Sequence, residues 1–131
     1  MTKIRVLLAD DHETILAGEH GILGEDFVIV GAVTYGRDAV EEVRRLEPDV
    51  LVIDISMPIM DGLEAVSSLR EDKCRTKFVF LTVHEDPDFV EAAFAAGASG
   101  YVTKFRLTTE LVAAIHEVLQ GRTYVSQSKP R

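Results

Sequence analysis

The stretch Val50-Leu51-Val52-Ile53-Asp54 is four apolar residues closed abruptly by a carboxylate. A short apolar run with no polar face reads as a strand buried on both sides, as in a parallel sheet. Three other runs end in the same way. Ile4-Arg5-Val6-Leu7-Leu8-Ala9 stops at Asp10-Asp11, Phe78-Val79-Phe80-Leu81 at Thr82, and Gly100-Tyr101-Val102-Thr103 at Lys104. In an open parallel sheet the strand C-termini share one edge, and ligands bind in the crevice beyond it. Three carboxylates, a hydroxyl and an ammonium would meet there. That set suits a carboxylate nucleophile, a divalent cation and two groups that hold a phosphoryl.

Helical patterns separate these runs. From His12 to Leu23, the residues Ile15, Leu16, Ile22 and Leu23 share one face, and Gly24 supplies a stop. Phe27 to Val33 reads as a further strand. Ala39, Val40, Val43 and Leu46 form the stripe of a second helix, ended by Pro48, and Leu63, Val66 and Leu69 mark a third. Asp86-Pro87 reads as an N-cap followed by proline in the first turn of a fourth helix, which carries Phe89, Val90, Ala93 and Phe94. Leu111, Val112, Ile115, Val118 and Leu119 give the cleanest amphipathic period, closed by Gly121. The alternation is (βα)5, and right-handed crossovers would lay helices on both sheet faces. Residues 1–121 form one domain on this reading. Residues 122–131 lose the apolar period, turn polar and basic, and read as a tail or the start of a linker.

Composition narrows the class. A chain of 131 residues with 47% hydrophobic content fits one domain with a core that needs no staples. A single cysteine, Cys74, excludes a disulfide framework and a Cys-based zinc site, and fits a reducing cytoplasm. No apolar stretch approaches the roughly 20 residues of a membrane span. The N-terminal run carries Arg5 and stops at two aspartates, unlike a signal peptide. A net charge of −8 argues against this segment holding nucleic acid itself. His12, His20, His84 and His116 show no metal spacing and read as surface or helix residues.

With these residues in place, residues 4–120 resemble a bacterial response-regulator receiver domain. The family motif is an acidic pair after strand one, an aspartate after strand three, Thr or Ser after strand four and Lys after strand five. Here these are Asp10-Asp11, Asp54, Thr82 and Lys104, in order. Met57-Pro58 and Asp61-Gly62 match the loop after the phosphorylated aspartate. Ala9-Asp10-Asp11-His12 and Ala96-Gly97-Ala98-Ser99-Gly100-Tyr101-Val102 look like the NarL/FixJ (LuxR-type) branch, whose members usually carry a following helix-turn-helix domain. Two positions depart from the pattern. Phe105 stands where many receivers have a proline, often in a cis bond, and a cis bond before Phe would cost about 3 kcal/mol or more. Val83 stands where many have Ala or Gly, and narrows access to the phosphoryl site.

The resemblance implies a flavodoxin-like doubly wound fold with a five-stranded parallel sheet of order 2-1-3-4-5. It makes Asp54 the phosphoacceptor, a carboxylate nucleophile that forms an aspartyl phosphate. Clustered carboxylates repel, and a hard cation relieves them. By resemblance that cation is Mg²⁺, ligated by Asp11, Asp54 and the Ser56 backbone carbonyl, with Asp10 acting mainly through water. Thr82 donates to a phosphoryl oxygen, and Lys104 supplies a charge to another. Tyr101 matches the aromatic switch position. Ser56 and His84 border the attacking water and, with Val83, tune dephosphorylation.

Each residue also has a plainer reading. A lone strand-end Asp is most often a turn or cap, and Asp10 or Asp11 could cap the helix that follows. A lone Thr is a β-former, a lone Lys a solvated surface residue, and Tyr101 a half-buried strand aromatic. Several functions compete in turn. The first is a switch phosphorylated by a sensor histidine kinase, dimerising on phosphorylation and reaching DNA only through a following domain. The second is a stand-alone receiver in a phosphorelay. A haloacid-dehalogenase-type phosphatase shares the chemistry, but there the nucleophile follows the first strand and the acidic pair comes last. A phosphorylation-independent interaction domain would not need the complete site.

Overall fold

The computed structural model describes residues 3–126. Five strands and five helices alternate as read: β1 (Ile4–Ala9), α1 (Glu13–Leu23), β2 (Phe27–Val33), α2 (Gly36–Leu46), β3 (Val50–Ile53), α3 (Gly62–Glu71), β4 (Lys77–Thr82), α4 (Pro87–Ala96), β5 (Gly100–Thr103) and α5 (Leu107–Leu119). All pair in parallel, in the order β2-β1-β3-β4-β5. The order reverses at β1 and β3, so these two strands flank the crevice where such a sheet binds its ligand.

The inner strands of the sheet are buried on both faces. Leu7, Ala9, Leu51, Ile53, Phe78 and Phe80 pack toward α2, α3 and α4. Val6, Leu8, Val50, Val52, Val79 and Leu81 pack toward α1 and α5. All four residues of β3 are fully buried. This is why that run shows no alternation: a strand with helices on both sides has no wet face. Among the described residues, no helix is long and apolar enough to cross a membrane.

Several termini follow the local chemistry. Asp86 caps α4 by accepting the Asp88 N–H at 2.9 Å, with Pro87 at the first helical position. Gly24 ends α1 at φ 50°, where a side chain would be strained. One expectation fails at α1. Neither Asp10 nor Asp11 caps it: His12 occupies the cap position without a side-chain bond, and Asp10 Oδ1 instead accepts the His12 N–H at 2.9 Å.

The structure adds a sixth strand to the five expected. Tyr124–Val125 (β6) pairs in parallel with the outer edge of β5. The Ser126 N–H reaches the Tyr101 carbonyl at 2.8 Å, and Ser126 Oγ donates to Glu110 at 2.8 Å. Residues 124–126 therefore lie along the sheet, where the sequence pattern reads a tail. Two residues are too few to leave a period, and what holds them is mostly backbone pairing. Residues 127–131 lie outside the described residues. The Lys104–Phe105 bond is not cis, and residues Lys104–Arg106 form a short 3-10 turn.

Candidate functional site

Pairing carries the strand ends to one height. Ala9 sits beside Ile53, Ile53 beside Phe80, and Thr82 beside Thr103. The ladder runs one residue further: the Asp10 N–H bonds to Val33 O, and the Asp54 N–H to Ala9 O, both at 3.0 Å. Asp10 and Asp54 are thus fixed by backbone bonds at the sheet edge. They are 1% and 3% exposed, and Asp11 stands on the rim.

Lys104 reaches back into this cluster. Its Nζ lies 2.9 Å from Asp54 Oδ2 and 2.9 Å from Asp10 Oδ2, with the side chain almost wholly buried. Burial alone would lower the ammonium's pKa. Hydrogen bonds and charge from Asp54 and Asp10 outweigh it, so the pKa is raised. One ammonium against three carboxylates leaves the cluster negative. Asp54 Oδ1 is buried without a hydrogen-bond partner, and Asp10 Oδ2 has the Lys104 ion pair but no well-formed hydrogen bond. Buried carboxylate oxygens left over in a negative cluster are what a divalent cation satisfies. The donor set therefore fits a bound cation.

His12 belongs to this cluster, where the sequence pattern gives it no role beyond the surface or a helix. Its Nδ1 lies 3.0 Å from Asp10 Oδ1, 3.1 Å from Asp11 Oδ1 and 3.2 Å from Lys104 Nζ. Spacing to the other histidines could not show this, because its neighbours are the aspartates just before it in the chain.

The far rim is built from the β3–α3 and β4–α4 loops. Ser56 Oγ and His84 Nε2 are 3.0 Å apart, and the His84 ring stacks on Phe89 with centroids 4.1 Å apart. The Tyr101 hydroxyl donates to the His84 carbonyl at 2.7 Å. The Tyr101 ring is buried, not half-buried, and burial with the charges of Asp54 and Asp86 pushes its pKa up to about 12. Thr82 is buried and accepts the His84 N–H at 3.4 Å, whereas Val83 is exposed. His84 is thus tied to Ser56, Thr82, Tyr101 and Phe89. Asp11, Ser56, Met57, Asp61, His84 and Phe89 line an open cleft beside the acidic cluster.

The β3–α3 loop closes tightly under Asp54. Asp61 caps α3 through the Glu64 N–H at 2.9 Å, and the Gly62 N–H bonds to Ile55 O at 2.7 Å. A Cβ on Gly62 would lie 2.1 Å from the Asp54 carbonyl oxygen, closer than any real contact. Gly62→Ala is accordingly expected to cost about 1–3 kcal/mol, the usual range for forced overpacking. Urea unfolding checks this, and an unchanged midpoint would show that the loop has slack.

The family model for the response regulator receiver domain matches residues 6–116. The chain belongs to that receiver family. The receiver is 38% identical over 125 residues to Response regulator GacA of Pseudomonas aeruginosa, covering 94% of this chain and 58% of that one. It is 36% identical over 121 residues to the transcriptional regulatory protein DesR of Bacillus subtilis, covering 91% of this chain and 60% of that one. It therefore spans less than two thirds of these relatives' length. Among solved structures it superposes on the signal receiver domain of NarL from Mycobacterium tuberculosis with a TM-score of 0.88, at 31% identity, covering 93% of this chain and all of that one. A LuxR-family response regulator from Aurantimonas also gives 0.88, at 32% identity, covering 94% of this chain and 89% of that one. The receiver is thus homologous to regulators of transcription in two-component systems.

One buried group of this receiver escaped the sequence reading. Glu19, on α1, is 1% exposed, and its Oε2 has no partner. Burial, then the nearby Asp10 charge, push its pKa up to about 9; Lys104 opposes this and Asp54 adds to it.

Proposed function

We propose that this receiver accepts a phosphoryl group on Asp54 from a sensor histidine kinase in the cytoplasm, with Mg²⁺ as the cation. The observation that carries the reading is Asp54 itself. It is a buried carboxylate with one oxygen held by Lys104 and the other without a partner, inside an acidic cluster at the switch point of the sheet. In the transfer, an Asp54 oxygen forms a bond to phosphorus as the bond from phosphorus to the donor breaks. Asp11, Asp54 and the Ser56 carbonyl would ligate Mg²⁺, with Asp10 acting through water. Bound there, Mg²⁺ would neutralise the carboxylates and the phosphoryl oxygens.

Lys104 then exchanges part of its contact with Asp54 for a phosphoryl oxygen, and Thr82, whose oxygen accepts the His84 N–H, moves to donate its hydroxyl hydrogen to another. That exchange pulls on the β4–α4 loop, and Tyr101 feels it through the His84 carbonyl. Tyr101 pairs with Val125 in β6, so a shift there reaches the segment after α5. On this reading residues 1–121 are the receiver, and the residues after them begin a linker, of which Tyr124–Val125 dock on β5. The output is transcriptional control through a phosphorylation-dependent homodimer and a helix-turn-helix domain that carries the DNA contacts. Ser56, Val83 and His84 tune the phosphoryl lifetime by closing the rim over Asp54.

Incubation with Mg²⁺ and acetyl phosphate is expected to add a single phosphoryl, seen as one adduct in the intact mass. Asp54→Ala should abolish it. A full-strength adduct on the variant would sink the assignment.

A further inference from the structure

His12 occupies the position of a ligand. It is the residue from which α1 starts, and its own N–H is pinned to Asp10 Oδ1 at 2.9 Å, so the ring folds back over the acidic pair. Donor atoms of Asp10, Asp11, His12 and Asp54 all lie within 4.8 Å of one another. Octahedral coordination at about 2.1 Å puts neighbouring ligand atoms about 3 Å apart and opposite ones about 4.2 Å apart. Nδ1 of His12 is 3.1 Å from Asp11 Oδ1, the spacing of neighbours, while Asp10 Oδ1, at 3.0 Å, already holds the His12 N–H. Nδ1 is 4.0 Å from Asp54 Oδ2, close to the spacing of opposites. Asp54 Oδ1, on a side chain 3% exposed, is buried without a partner, and a cation would satisfy it.

The protein atoms alone leave Nδ1 in conflict. Facing the Lys104 ammonium at 3.2 Å it must offer a lone pair, because an ammonium only donates. Facing two carboxylate oxygens it would instead donate, and one nitrogen cannot do both. A metal ion among these atoms accepts the lone pair and neutralises the carboxylates together.

We infer that His12 is an additional ligand of the acidic site and extends it from Mg²⁺ to imidazole-binding divalent cations such as Ni²⁺, Co²⁺ and Zn²⁺. This rests on the reading of the acidic cluster as a cation site. Oxygen-only sets suit Mg²⁺, and adding a neutral imidazole nitrogen favours the later transition metals. The His12 side chain is 57% exposed, so replacing it leaves the core untouched.

The test is calorimetric titration of residues 1–131 and of His12→Ala with Mg²⁺ and with Ni²⁺, together with ¹⁵N spectra of the imidazoles on adding Zn²⁺. His12→Ala should lose about tenfold or more in Ni²⁺ affinity, since even outer partners of a ligand are worth that much. Its Mg²⁺ affinity should change less than the Ni²⁺ affinity, and Zn²⁺ should move the His12 Nδ1 resonance in the wild type. Unchanged or tighter Ni²⁺ binding by His12→Ala, with Mg²⁺ still binding, overturns the inference alone. A wild type that binds neither ion overturns the cation site itself.

Discussion

Lys104→Met is expected to destabilise the cation-free domain by about 3–5 kcal/mol, the usual cost of removing one partner from a buried ion pair. Two carboxylates, Asp10 and Asp54, share this one ammonium at 2.9 Å each, and both are nearly fully buried. Methionine keeps the length of the stem and discards the charge. The stranded carboxylates can then recover only by taking a proton or a cation. Mg²⁺ should therefore stabilise the variant more than the wild type, because an ion at free concentration c that binds only the folded state adds RT ln(1 + c/Kd), which grows as Kd falls. The same substitution should blunt the response to beryllofluoride around Thr82 and Tyr101, since the anchor for the phosphoryl oxygen is gone. Urea unfolding in chelator and in Mg²⁺ checks the first part, and amide chemical shifts the second. Equal midpoints in chelator for both proteins would show that Lys104 is not the counter-charge of the site.

The contrast with surface pairs supports this ranking. Arg44 with Asp72 at 2.7 Å and Arg45 with Glu42 at 2.6 Å are as short, but stand in solvent. Exposed pairs are worth about 0–1 kcal/mol. Burial, not distance, makes Lys104 the costly residue to lose.

What the sequence revealed follows from what a period can encode. The strands were legible because each is a largely apolar run ended by a polar residue, most strictly so in β3, whose burial on both faces requires it. The sites at their ends were legible because a parallel sheet maps strand order onto one edge. β6 was not, because Tyr124–Val125 is short and held chiefly by backbone bonds, to which composition is blind. His12 was missed because its partners are adjacent in the chain, and helical or metal spacing looks further away. Glu19 was missed despite a visible signal. It lies three or four residues from Ile15, Leu16, Ile22 and Leu23, so the same helical stripe that placed those residues in the core places a carboxyl there too.

Glu19→Gln is expected to stabilise the receiver at neutral pH and to flatten its stability against pH. The folded carboxyl has its pKa raised from 4.5 to about 9, mainly by burial and then by the Asp10 charge. Below about pH 4.5 the group is protonated in both states and favours neither. Between there and about pH 9 the unfolded chain ionises alone, and folding must return the proton. Stability then falls by about 1.4 kcal/mol per pH unit from this group, reaching about 3 kcal/mol by pH 7. Above about pH 9 both states are ionised and the loss levels off. Glutamine copies the shape of the protonated acid and cannot ionise, so it removes this slope. Its extra N–H donors inside the core temper the gain, leaving about 2–3 kcal/mol at pH 7. Urea unfolding of both proteins at pH 6 and at pH 8.5 decides the matter. The gap between them should widen by about 3 kcal/mol over that span. A gap of constant size would mean that Glu19 is already ionised in the folded protein, with Lys104 or a bound cation as its counter-charge.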